Sequence, residues 1–146
     1  MKQLIIYIAL ALPAFAMAQS QFNIQKSYVA EGYDVVAYFG NKAVKGKKHL
    51  QATHQGVKYL FVNAENKAAF EANPDQYVPQ YGGYCAYAMG TSGDKVSIDP
   101  ETFEIRDGKL YLFYNAFFTN TLEKWLDENP NQLKRQADAN WSKLYP

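Results

Sequence analysis

A single cysteine, Cys85, stands in a chain of 146 residues, so no internal disulfide can form and stability must come from packing. Charge of one sign is also lacking. With 15 basic residues against 14 acidic ones, nothing in the composition draws the chain towards nucleic acid or an anionic membrane. Only His49 and His54 are present to offer nitrogen to a metal. No His-Glu-x-x-His, no Cys-x-x-Cys, no phosphate-binding glycine loop and no Ser-His-Asp order occurs, so no catalytic apparatus is legible. The missing second cysteine also excludes dithiol redox chemistry within one chain. No low-complexity stretch and no repeat is read. What is abundant is aromatic: 12 Tyr and 9 Phe point to an aromatic core with hydroxyl-bearing edges.

The first eighteen residues read as a signal peptide. Lys2 supplies a basic start, residues 4–17 an apolar run, and Ala16 and Ala18 an Ala-x-Ala site for cleavage before Gln19. The run is too short and too early for a membrane helix, and no later one has membrane length. The expectation is an exported chain, periplasmic or secreted and without membrane insertion after cleavage. Residues 19–31 read as an N-terminal extension and 32–146 as one domain, a length sufficient for a real core.

Within that domain, Gly32-Tyr-Asp-Val-Val-Ala-Tyr-Phe39 is apolar and β-branched enough for a strand or an extended strap. Residues 56–62 alternate, with Val57, Tyr59 and Phe61 on one face of a strand. Asn63 suits an N-cap, Glu65 the first turn of a helix, and Asn73-Pro74 its end. Asp107-Gly108 is a favoured type I′ pair and predicts a hairpin between 102–106 and 109–114. Phe118, Leu122, Trp125 and Leu126 fall on one helical stripe. A last helix starts at Asn129-Pro130 and carries Leu133, Ala137, Trp141 and Leu144 along one side. The predicted fold is α+β: a small antiparallel sheet of hairpins with a central helix and two C-terminal helices packed on it.

Several of these segments together resemble a known family. They are Gly32-Tyr-Asp-Val-Val-Ala-Tyr-Phe39, Tyr59-x-Phe61 with Ala68-Ala-Phe70, Asn73-Pro74 with Tyr77, Tyr81-Gly-Gly-Tyr-Cys-Ala86, Asp99-Pro100, Asp107-Gly-Lys-Leu-Tyr-Leu112 and Ala137-Asp-x-x-Trp141. The set is similar to the exported YHS-domain proteins of bacteria, over about residues 32–141. The resemblance implies a non-enzymatic binding domain of the YHS type, and short domains of this kind in heavy-metal transporters imply metal handling. The chain departs from their pattern where Asn63 and Asn66 stand in place of the expected cysteines, which argues against a structural zinc site.

Cys85 and Met89 are spaced i, i+4, so a helix over 84–89 sets a thiolate and a thioether on one face. That soft pair favours copper as Cu(I), with His54 as the better placed nitrogen donor. The bland reading makes Cys85 a small buried hydrophobe and Met89 a gap filler. A rival function is a binding module for a small organic ligand or a protein partner, with Tyr84 and Tyr87 lining an aromatic pocket around Cys85. A third class, a thiol-dependent enzyme with Cys85 as nucleophile, lacks an orienting third group. Exposure of the sulfur separates them: a solvent-reaching sulfur favours metal or chemistry, an enclosed one favours scaffolding.

Overall fold

The computed structural model describes residues 21–146. The expected signal peptide, 1–18, and the cleavage position before Gln19 lie outside the described residues. Within them, no helix is long and apolar enough to cross a membrane.

The architecture is α+β, made of small antiparallel hairpins and helices. A short N-terminal hairpin pairs β1 (Ile24–Gln25) with β2 (Tyr28–Val29). Two longer ones pair β3 (Lys47–His54) with β4 (Val57–Phe61) and β5 (Asp99–Arg106) with β6 (Lys109–Phe113). A fourth, tiny hairpin pairs β7 (Asn115–Ala116) with β8 (Thr119–Asn120). The helices are α1 (Ala64–Ala72), α2 (Pro74–Tyr77), α3 (Ala86–Thr91), α4 (Thr121–Asp127) and α5 (Pro130–Leu144).

Local chemistry sets these boundaries. The Asn63 side chain accepts from the Asn66 N–H at 2.7 Å and starts α1, which ends ahead of Pro74. Asn129 accepts from the Gln132 N–H at 3.2 Å and starts α5, with Pro130 in its first turn. Asp107 and Gly108 both have positive φ, 51° and 71°, as a type I′ turn requires.

Elsewhere tertiary packing overrides the local pattern. Residues 32–39 form a strap that ends in the short helical turn Ala37–Gly40, and its organiser is the buried Asp34. One Asp34 carboxylate oxygen accepts from the N–H groups of Val36 (2.8 Å) and Ala37 (3.2 Å). The other accepts from the Val62 N–H (2.9 Å) and Asn66 Nδ2 (2.8 Å). Phe118 is not on a helical stripe; it lies with Phe117 at the tip between β7 and β8, and the helix begins only at Thr121. The stretch read as an N-terminal extension contributes Phe22, Val29 and Ala30 to the core, because β1 and β2 fold it back against β4.

The chain is internally repeated, contrary to the reading of its sequence. Tyr59-Leu-Phe-Val-Asn-Ala64 returns as Tyr111-Leu-Phe-Tyr-Asn-Ala116, Gly32-Tyr33 as Gly83-Tyr84, and Asn73-Pro-Asp-Gln76 as Asn129-Pro-Asn-Gln132. Structure follows sequence. Each long hairpin has a first strand of 8 residues, a two-residue turn and a second strand of 5, with a register shift at the same point. Ahead of each lies a run of three left-handed residues, with φ 52°, 54° and 84° at Ala30, Glu31 and Gly32 and φ 57°, 61° and 84° at Tyr81, Gly82 and Gly83.

Two hydrophobic cores result. The first gathers Val29, Val35, Tyr38, Tyr59, Phe61 and Phe70. The second gathers Tyr81, Ala86, Met89, Trp125, Leu133 and Ala137 from the helical side. Strand β6 serves both, since Leu110 and Leu112 face the first core while Tyr111 and Phe113 face the second.

Candidate functional site

Cys85 is the N-cap residue of α3, and its side chain is wholly buried. The sulfur lies 3.4 Å from Thr121 Oγ1 and accepts from the Tyr114 N–H at 3.4 Å. In the first repeat Asp34 holds the matching place, accepting from the N–H of Val62, the counterpart of Tyr114. The thiol therefore does the work that a carboxylate does in the other half: it terminates a buried backbone donor at the end of a strand. Met89 is equally buried and belongs to the second core. Its N–H bonds to the Cys85 carbonyl at 3.0 Å, as the i, i+4 spacing requires.

His54 is elsewhere. Its ring stands edge-on to Phe70 of the first core at 5.9 Å, and Nε2 lies 3.8 Å from Asp75 Oδ1. His54 thus stands beside Phe70 of α1 and Asp75 of α2, and among the described residues its buried Nε2 has no hydrogen-bond partner. Among the described residues, no three His, Cys, Asp or Glu side chains come together as a metal-binding group. The donor set read from the sequence does not fit a copper ion, because two of its members are sealed in packing and the third serves a different core. An enclosed sulfur has a measurable consequence. In the folded protein, Cys85 is expected to react with a disulfide reagent on the order of a thousandfold more slowly than in the unfolded chain, given the usual folding equilibrium. Native labelling at the unfolded rate would show the thiol to be open.

The two tyrosines chosen for an aromatic pocket diverge. Tyr84 precedes α3, donates to the Phe22 carbonyl at 3.3 Å and packs against Trp141 at 6.4 Å. Tyr87 points the other way, donating to the Glu128 carboxylate at 3.0 and 3.1 Å. Their hydroxyls bond to different elements, and α3 begins only after Tyr84.

A cleft does open on the other side of the same segment, behind the left-handed turn. It measures about 390 Å³ and is lined chiefly by Gln55, Gln80, Tyr81, Asp138, Trp141 and Ser142, with Phe22 and Pro79 among its apolar walls. Four chain segments build it, at residues 21–22, 55, 79–82 and 138–142. The Gln80–Gly83 turn is locked to the N-terminal segment ahead of β1 by the Asn23 N–H to the Gly82 carbonyl (2.8 Å) and by Asn23 Nδ2 to the Gly83 carbonyl (3.1 Å). Tyr81 is buried, and its hydroxyl donates to Asp138 Oδ1 at 2.8 Å. Burial first, and then the Asp138 carboxylate, push the Tyr81 phenol well above its ordinary range, so it stays a donor. A carboxylate has about four lone-pair sites, of which Tyr81 occupies one. Trp141 offers an indole face one turn along α5 from Asp138.

Among the described residues, no lysine, arginine or histidine lines this cleft, so its chemistry is that of an acceptor-rich pocket for neutral or cationic groups. Asp138 and Trp141 lie i, i+3 on one helix and could have been paired from their spacing. Gln55 and Gln80 come from distant turns, and no local signal unites them. Comparison with known proteins gives no match to any family model, curated protein or solved structure.

Proposed function

We propose that the chain is an exported, non-enzymatic binding domain of the YHS type that takes a small polar organic ligand, neutral or cationic, in the cleft behind Tyr81. The observation that carries this reading is the cleft's make-up: one carboxylate, one indole face and amide and hydroxyl groups around about 390 Å³, with no cationic side chain among the described residues. The left-handed turn adds support. Tyr81 at φ 57° is a bulky residue in a region that disfavours it, and such strain concentrates where a side chain is held for use. Copper handling through Cys85, Met89 and His54 gives way to this reading, since the Cys85 sulfur and the Met89 side chain have no solvent exposure.

The test is a titration of the folded protein with three sets of small molecules, primary amines, neutral polyols and carboxylates, followed by backbone amide and Trp indole shifts in NMR. Amines and polyols are expected to move the Trp141 indole and the amides of Gln55 and Gln80, and carboxylates are not. Asp138→Asn should weaken amine binding about tenfold, as loss of a charge-assisted hydrogen bond implies, and leave polyols little changed. Carboxylates binding as well as amines, or shifts centred on Cys85, would sink the assignment.

A further inference from the structure

The first repeat has a cleft of its own beside its left-handed turn, and the charge on its walls is opposite to that around Tyr81. It measures about 260 Å³. Leu60 and Tyr28 form its floor, meeting over Gly32 with Leu60 Cδ1 and Tyr28 Cδ2 at 3.3 and 3.6 Å from where a Cβ would stand. Leu60 is buried yet belongs to neither core, because alternation along β4 commits Tyr59 and Phe61 to the first core and turns Leu60 away from it. Its side chain goes to this cleft instead.

Three lysines stand around the floor, each brought by a different segment: Lys26 from the β1–β2 turn, Lys45 from the loop ahead of β3, and Lys48 from β3 itself. Gly46 makes the gathering possible. Its N–H donates to the Gly32 carbonyl at 2.8 Å, and a Cβ there would fall 2.5 Å from the Leu60 carbonyl carbon, so glycine is what lets the loop lie directly on β4. Among the described wall residues the one carboxylate is Glu31, and it pairs with Lys26 at 3.4 Å. Lys45 and Lys48 have no ion-pair partner among the described residues. The sequence deepens the imbalance. From residue 35 to residue 64 there is no Asp or Glu, against Lys42, Lys45, Lys47, Lys48 and Lys58, in a chain whose total charge is close to neutral.

We infer that this cleft binds a phosphate monoester carrying a compact apolar group, at a site separate from the Tyr81 cleft. Charge chooses the headgroup: with Lys26 and Glu31 cancelling, two ammonium groups are left, and they match the nearly two negative charges of a phosphate monoester at neutral pH. Lysine binds phosphate as a point charge, whereas planar carboxylates are best held by a guanidinium fork, and no arginine lines the cleft among the described residues. The floor chooses the rest. Leu60 and Tyr28 offer an apolar body a surface that free phosphate leaves uncovered. A phospholipid with a terminal phosphate shares this headgroup chemistry, so free ligand and bilayer are compared directly.

The full chain is titrated with phenyl phosphate, inorganic phosphate, benzoate and phenol, and backbone amide shifts are followed in NMR. Phenyl phosphate is expected to bind at least tenfold more tightly than any of the other three and to move the amides of Gly32, Gly46 and Leu60. The Trp141 indole should stay still, which keeps this outcome independent of that for the Tyr81 cleft. Lys45→Gln with Lys48→Gln should weaken phenyl phosphate at least tenfold, while the charge-keeping pair Lys45→Arg with Lys48→Arg retains it. Glu31→Gln removes the opposing charge and should tighten binding about threefold. Absence of shifts at the three amides, inorganic phosphate or phenol binding as well as phenyl phosphate, equal affinity in the Gln pair, loss in the Arg pair, or weakening by Glu31→Gln overturns the inference. Phosphatidylcholine vesicles carrying phosphatidic acid complete the test, and free phenyl phosphate is expected to displace any chain that sediments with them. Co-sedimentation that it fails to displace, yet that the Gln pair abolishes, assigns the lysines to a membrane surface and overturns the small-ligand site.

Discussion

Gly82→Ala is expected to remove more than about 3 kcal/mol of stability, enough to leave a domain of ordinary stability largely unfolded at modest denaturant. Two causes act together. The residue sits at φ +61°, where a side chain is strained, and a Cβ built there falls on the carbonyl oxygen of Gln21. The obstacle is backbone, held by the Asn23 hydrogen bonds to Gly82 and Gly83, so no rotamer change relieves it. Gly108 provides the internal comparison, with φ +71° and nothing within 4 Å of a built Cβ. There alanine should cost only the conformational part, about 1 kcal/mol. Guanidinium unfolding of the two variants separates strain from collision, and equal losses would refute the close approach of residues 21–23 to the turn.

The second large effect belongs to Asp34→Ala. Its carboxylate accepts four hydrogen bonds, from Val36, Ala37, Val62 and Asn66, at a position with no solvent exposure. Deleting it strands buried donors from the strap, the end of β4 and the start of α1 at once. A loss of about 3–5 kcal/mol is expected, since each neutral donor stranded away from water costs about 1–3 kcal/mol. Asp34→Asn keeps an acceptor oxygen and should lose clearly less. Thermal and denaturant unfolding measure both. If alanine costs under about 1 kcal/mol, water must be replacing the carboxylate and the strap is not held as described.

What could be read from the sequence follows from how local its cause is. Asn63, Asn129-Pro130 and Asp107-Gly108 act on their own neighbours, so caps and turn fall where the chain alone places them. The hydrophobic spacing around Phe118 misleads, because four inserted residues interrupt the helix that the pattern continues. Asp34 in an apolar run was a legible oddity, yet its partners lie about thirty positions on, at Val62 and Asn66. The repeat was also in plain view in two six-residue segments, obscured because the halves diverge elsewhere and the second carries the extra hairpin. Cys85 drew attention as a soft ligand. Only the comparison with Asp34 across the repeat shows a sulfur standing in for an oxygen acceptor. The cleft was least legible, for its walls come from four distant segments.

Strand β6 is the wall between two cores, with alternate residues committed to opposite sides. A repeat protein whose units met only at a surface could open one unit and keep the other. Here, withdrawing Leu110 and Leu112 from the first core also drags Tyr111 and Phe113 out of the second. The two halves are therefore expected to unfold as one cooperative unit, with the amides of β6 exchanging with solvent only on global unfolding and the ends of α5 and the β7–β8 tip by local opening, as native-state hydrogen exchange would measure.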